Sequence, residues 1–407
     1  MKKISFNALA ITSIAVFSVI FVSMSYLRMN KASSEARTDT TSVLSYATEN
    51  KTANLAVTTN KQEQPKPALS ISGWIPYWAK DAGAASLTGK MNLFSEINPF
   101  AYAVNADGTL VDTMKIDVAP WSGLFAEANR ENVRIVPTIL WGDASAMHRT
   151  FSDSTLLDRH VAVIISMLDR HGFPGVDIDY EGKDIADRDG FSSFLTKLHE
   201  QLSADKGKTL SCTVEARTQE DPPEGFTGIR AMSYANDYAV LNRVCDSVRV
   251  MAYDQVFQIH RANTFTSSDP EPTAPNADDR WVEEVMRYAL RYISPEKLIL
   301  GVSTYGWEFR VEKVSEGYRY TRVKSISYPD AMTEARLADV TPTRTDGGEL
   351  SFTYQATDGE HVVTFDDTES VRRKADIVKK LDFEGISIFK IDGQTDQKFF
   401  EMLGHTK

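Results

Sequence analysis

From residue 69 onward the chain repeats one theme eight times: a short β-rich run, then a segment with helical period. The β-rich runs lie at 71–78, 97–104, 133–141, 175–181, 210–217, 247–254, 298–305 and 386–391. Helical periods at 121–130, 154–170, 189–202, 238–244, 279–292 and 370–381 fall between them, and Asp153 and Asp278 stand where two of these helices need N-caps. Strands separated by helices pair in parallel, because each helix returns the chain to the same end of the sheet. No Gly-rich phosphate loop follows the first run; Gly73-Trp74-Ile75-Pro76-Tyr77-Trp78 stands there instead, which argues against an open dinucleotide-binding sheet. The expected fold is therefore α/β, a TIM (β/α)8 barrel. Residues 310–366 break the rhythm with alternating runs and the turn signals Asp346-Gly347-Gly348 and Asp358-Gly359. They predict a small, mainly β insertion between strands 7 and 8, at the C-terminal face of the barrel.

Two segments precede this domain of residues 69–407. Lys2 and Lys3 introduce a mostly apolar run, 4–27, long enough to cross a bilayer and poor in small-x-small cleavage sites. Residues 1–29 are expected to be a signal anchor, a transmembrane helix that makes the bilayer a partner and leaves the remainder outside the cytoplasm. Cleavage of this segment would give a secreted protein instead. Residues 30–68, rich in Ser, Thr, Asn, Lys and Gln and ending in Gln64-Pro65-Lys66-Pro67, read as a flexible exported tether. The net charge of −11 argues against a nucleic-acid partner, which calls for a basic surface. Cys212 and Cys245 are too few for a disulfide scaffold or a Cys-rich zinc site, and their spacing leaves open whether they pair. The seven histidines show no metal-ligand spacing.

The chemistry concentrates in Phe173-Pro174-Gly175-Val176-Asp177-Ile178-Asp179-Tyr180-Glu181-Gly182. Side chains alternate along a strand, so Asp177, Asp179 and Glu181 share one face, and Val176, Ile178 and Tyr180 the other. In a barrel the apolar set meets the helices and the acids line the interior, with Glu181 at the mouth. Like charges crowded there cannot all ionise freely, so at least one acid should hold a proton near neutrality. That is what a general acid requires. A calcium loop fits poorly, because its twelfth position is Arg188 and a strand precedes it. A magnesium site on Asp177 and Asp179 lacks any accompanying phosphate motif.

This stretch resembles the DGxDxDxE signature that ends the fourth barrel strand of glycoside hydrolase family 18, the chitinase-like enzymes. Met251-Ala252-Tyr253-Asp254 resembles the family's Met-x-Tyr-Asp on strand six, and 298–306 and 385–392 resemble its strands seven and eight. Residues 74–78 and 97–100 look most like the bacterial spore-cortex N-acetylglucosaminidase branch. There are departures: Pro174 replaces the first Asp, Phe389 stands where the strand-eight Trp is usual, and 137–141 lacks the chitinase Ser-x-Gly-Gly.

The resemblance implies a glycosidase acting next to N-acetylglucosamine, in peptidoglycan or a chitin-like polymer, by attack of the substrate's own 2-acetamido group. Glu181 would be the acid/base, Asp179 the orienting carboxylate, Asp177 its deeper partner and Tyr253 the donor to the acetamido oxygen. Met251 and Asp254 flank Tyr253 in the same motif. Trp78, Tyr102, Trp141, Tyr305, Trp307 and Phe389 are the aromatic candidates for sugar stacking. Arg217 would either grip a carboxylate on the glycan or pair with a neighbouring acid. No metal and no organic cofactor is expected. A non-catalytic, chitolectin-like binding protein on the same barrel is the competing expectation, motivated by Phe389 and Pro174.

Overall fold

The computed structural model describes residues 69–204, 207–260, 262–394 and 396–406. The expected anchor at 1–29 and the tether at 30–68 lie outside them. Among the described residues no helix is long and apolar enough to cross a membrane.

Eleven strands among the described residues form one curled sheet in the manner of a TIM barrel. Gly175–Tyr180, Thr209–Glu215, Ser247–Met251, Leu298–Ser303, Gly385–Phe389 and Ser70–Ile75 follow one another in parallel. The second and third runs are each broken in two. Glu96–Pro99 pairs with Arg134–Ile135 at one end of the sheet, and Tyr102–Val104 pairs with Thr138–Trp141 at the other. The two ends are thus the two halves of the same chain segments, which is how the sheet curls on itself. Pro137 sits at one break, where a residue with no N–H cannot continue the ladder as a donor.

Helices cover the outside. Ser154–His171 begins on Asp153, whose side chain accepts from the N–H groups of Thr155 and Leu156, and ends at Gly172, φ 65°. Asp279–Ala289 begins on Asp278, which accepts from Arg280 N–H. Trp121–Arg130 and Tyr238–Val244 occupy their expected positions. Ala144–Ser152, capped by Asp143, is a helix the periodicity did not signal. Val176, Ile178 and Tyr180 pack outward and are fully buried.

A second, antiparallel sheet runs in the order Thr264–Ser267, Tyr318–Ser327, Tyr305–Lys313, Gly359–Phe365, Leu350–Ala356, Thr343–Arg344. Five of its strands lie between Tyr305 and Phe365, and the sixth, Thr264–Ser267, comes from the segment after Ser247–Met251. The helix Tyr328–Leu337 packs with it through Ala331 and Ala335. Cys212 and Cys245 form a disulfide.

Candidate active site

The barrel interior is polar where most cores are apolar. Asp177 is fully buried and accepts four hydrogen bonds from neutral side chains on three strands. Trp74 Nε1 (3.1 Å) and Thr138 Oγ1 (2.9 Å) reach Oδ2, while Ser211 Oγ (2.7 Å) and Thr213 Oγ1 (2.9 Å) reach Oδ1. Arg249, also buried, sits 3.5 Å from Asp177 Oδ1 and pairs on its other side with Glu96. Asn98 donates to the same Glu96 at 2.9 Å. Burying such groups is costly unless their hydrogen bonds are met, and here the barrel strands meet them.

Asp179 is 1% exposed, and its Oδ1 has no hydrogen-bond partner among the described residues. Burial, then the charges of Glu181, Asp177 and Glu215, push its carboxyl well above the usual range. Glu181 follows the last strand residue, half-buried, with its N–H bound to Trp141 O at 2.8 Å. Burial foremost, with Glu215 and Asp254 adding to it against Lys183, pushes Glu181 up to about 7. It is therefore an acid that carries a proton close to neutral pH.

Gly182 turns the chain immediately after Glu181 at φ 71°, in the left-handed region where a side chain would be strained. Its N–H donates to Glu215 Oε1 at 3.1 Å. Burial works to raise Glu215, but Lys183 and the donors Asn236 and Gly182 hold it below the ordinary carboxylate range.

Tyr253 lies just past Ser247–Met251, its ring stacked on Phe389 at 5.7 Å and 13°. Burial and the acids Asp179, Glu181 and Asp254 keep its hydroxyl far above its usual pKa, hence a donor. Asp254, φ 58°, accepts from Tyr305 Oη and Trp307 Nε1, both at 2.7 Å. Burial nevertheless raises its carboxyl above the usual range. Asn276 Oδ1 receives the Asp254 N–H at 3.0 Å. Phe389 is ringed by Trp74, Phe100, Tyr253 and Tyr305, with centroids 5.7–6.1 Å away. Trp78, half-buried, leans on Phe100 at 6.4 Å. Met251 ends its strand, buried.

Three expected binding residues lie elsewhere. Trp141 is in register with the outward-facing Tyr180 and packs on it, on His160 and on Phe151, under the helices. Tyr102 is in register with Ile139 and meets His171 at a helix end. Arg217 is buried over the ring of Tyr238 at 4.1 Å, between Tyr234 and Tyr288, a cation–π box in place of the expected salt bridge. Trp141 and Tyr102 both stand on the outward-facing phase of their strands. Conversely, Arg249, Lys183, Glu215 and Asn276 belong to the site and were not anticipated; Lys183, two residues beyond Glu181, is the one whose position offered a signal.

The sequence profile of Glycosyl hydrolases family 18 matches residues 7–394. The cortical fragment-lytic enzyme of Bacillus anthracis is 26% identical over 313 residues, covering 74% of this chain and 67% of its own. Among solved structures, the Bacillus cereus spore cortex-lytic enzyme SleL superposes with a TM-score of 0.67 at 20% identity, covering 84% of this chain and 75% of that one. The C-terminal domain of a putative chitinase from Desulfitobacterium hafniense DCB-2 gives 0.69 at 20% identity, covering 83% and 99%.

Proposed function

The chain belongs to glycosyl hydrolase family 18, and from that premise we propose that this glycosidase cleaves β-1,4 bonds next to N-acetylglucosamine in a cell-wall polysaccharide by substrate-assisted retaining catalysis. The observation that carries the proposal is Glu181: a half-buried carboxyl, pushed up to about 7, at the mouth of a barrel beside Asp179, Tyr253 and an aromatic floor.

In the proposed reaction Glu181 gives its proton to the glycosidic oxygen as the anomeric C–O bond breaks. The carbonyl oxygen of the 2-acetamido group attacks the anomeric carbon and closes an oxazolinium ring. Asp179 takes the acetamido N–H and balances the positive charge; its Oδ1, otherwise unpartnered, is available for that bond. Tyr253 donates to the acetamido oxygen, fixing it in line. Glu181, now a carboxylate, takes a proton from the water that reopens the ring with retained configuration. Asp177 lies one step deeper, held by four neutral donors and by Arg249, and keeps the adjacent ladder in place. Phe389 would carry the sugar at the cleavage point, with Trp78 next along the floor. The sheet holding Tyr305 and Trp307 would form one wall of the cleft, since both side chains bond Asp254.

Bacillus relatives named for cortical fragments favour peptidoglycan over chitin as the polymer. We also propose that the domain works outside the cytoplasm, with residues 1–29 as its anchor. The Cys212–Cys245 disulfide supports an oxidising compartment.

The test is release of reducing ends from peptidoglycan and from chitooligosaccharides, wild type beside Glu181→Gln. Release by the wild type that the variant abolishes is expected. Equal release by both would overturn the assignment of Glu181.

A further inference from the structure

Beneath Glu181 lies a pair of opposite charges that the reaction above does not use. Lys183 is fully buried and Glu215 is 1% exposed, with Nζ 3.6 Å from Oε2. Lys183 also lies over the ring of Phe191 at 4.7 Å, and Asn236 Nδ2 holds the same Oε2 at 2.7 Å. Stability does not account for such a pair. The desolvation of two ions often exceeds their attraction, and apolar replacements of similar volume are frequently no less stable.

Their remaining hydrogen bonds point to a different task. Lys183 Nζ donates to Tyr180 O, the carbonyl of the peptide leading into Glu181. Glu215 Oε1 accepts from Gly182 N–H, the amide of the peptide leading out of it. The N–H of Glu181 itself goes to Trp141 O. Both peptide planes that flank the Glu181 Cα are therefore tied, and the two ties are joined to each other through the ion pair. A carboxyl held only by its strand would lose this fixation at the strand's last turn.

We infer that Lys183 and Glu215 form the positioning pair of Glu181, clamping both of its flanking peptides and presenting it with one fixed charge of each sign. The inference rests on the role proposed for Glu181. Neither residue touches the reacting atoms. Other charged or titratable groups face Glu181 too: Asp179 from its own strand, Asp254 and Tyr253 from the end of the sixth barrel strand, and Tyr305 from the antiparallel sheet. Removing one member of the pair while these stay in place changes the local charge by one unit of known sign.

The readout is the alkaline limb of the pH–rate profile, where activity falls as the general acid loses its proton. With the full chain on an N-acetylated glycan, Glu215→Gln takes away a like charge and leaves Lys183 unopposed. The limb should move to lower pH by roughly one unit, with kcat down about tenfold. Lys183→Met should move it to higher pH. Lys183→Arg, which keeps the charge but not the reach, should lower kcat and leave the limb in place. If Lys183→Met does not fold, judged by its melting transition, Glu215→Gln read against Lys183→Arg decides alone. Lowered activity with an unmoved limb in Glu215→Gln would overturn the inference and leave the pair merely structural. A wild type whose turnover is unaffected by Glu181→Gln would instead overturn the reading of Glu181, a distinguishable failure.

Discussion

The indole Nε1 of Trp74 donates to Asp177 Oδ2 at 3.1 Å, so the first barrel strand holds the deepest of the three acids on the fourth. Trp74→Phe keeps most of the ring and removes the donor. It should cost about 1–3 kcal/mol, the scale of a buried acceptor losing a partner, read as a lower denaturation midpoint. Activity should fall with it, because Asp177 then shifts against Asp179.

Glu181→Gln should reduce kcat by about 10²–10⁴-fold, the usual contribution of a positioned acid. It should also change how stability depends on pH. In the fold this carboxyl is pushed up to about 7 from its ordinary 4.5, so the unfolded chain gives up the proton first as pH rises. Wild-type stability is therefore drained by this group between those two values, and the glutamine variant escapes the loss. The melting temperature of the variant relative to wild type should climb from pH 4 to pH 8.

Tyr253→Phe should preserve the stack on Phe389, since only the hydroxyl goes. A loss of about 10²-fold in kcat with a much smaller change in KM is expected on chitooligosaccharides. A rise in KM with kcat unchanged would mean that the hydroxyl serves ground-state binding.

Arg249→Met strands Glu96 and Asp177 without their shared cation. Breaking a buried pair from one side costs about 3–5 kcal/mol, so chemical denaturation should show a large drop in midpoint. Adding Glu96→Gln should recover part of it.

Replacing both Cys212 and Cys245 by Ala frees a loop of 33 residues in the unfolded chain. The expected cost is about 2–4 kcal/mol, with kcat unchanged because neither sulfur reaches the cleft. Treatment of the wild type with a reductant should reproduce the shift.

What could be read from the sequence followed from period. The ladder from Asp177 to Glu181 was legible because alternation fixes which three side chains share a face, and one face had to be interior. The same rule, run from Thr138, places Leu140 inward and Trp141 outward. The second and third strands are each broken, near Ala101 and Pro137, and a break hides the phase of the second half from the sequence. Arg249 was hidden for another reason. A cation among valines reads as a misfit until its partners Glu96 and Asp177, far away in sequence, are seen beside it. The Thr264–Ser267 strand was invisible because its pairing partner lies beyond the whole seventh barrel strand.

That last strand changes what the cleft wall can withstand. The antiparallel sheet is sewn to the barrel by two separate threads, one leaving after the sixth strand and one after the seventh. The seventh-strand connection is Thr304 alone and is buried, so a proteolytic nick falls on the exposed residues 268–271 of the other thread and leaves the sheet registered by its own ladders. Tyr305 and Trp307 would keep their grip on Asp254 in a chain already cut, so an enzyme exposed to proteases could be clipped there and go on working.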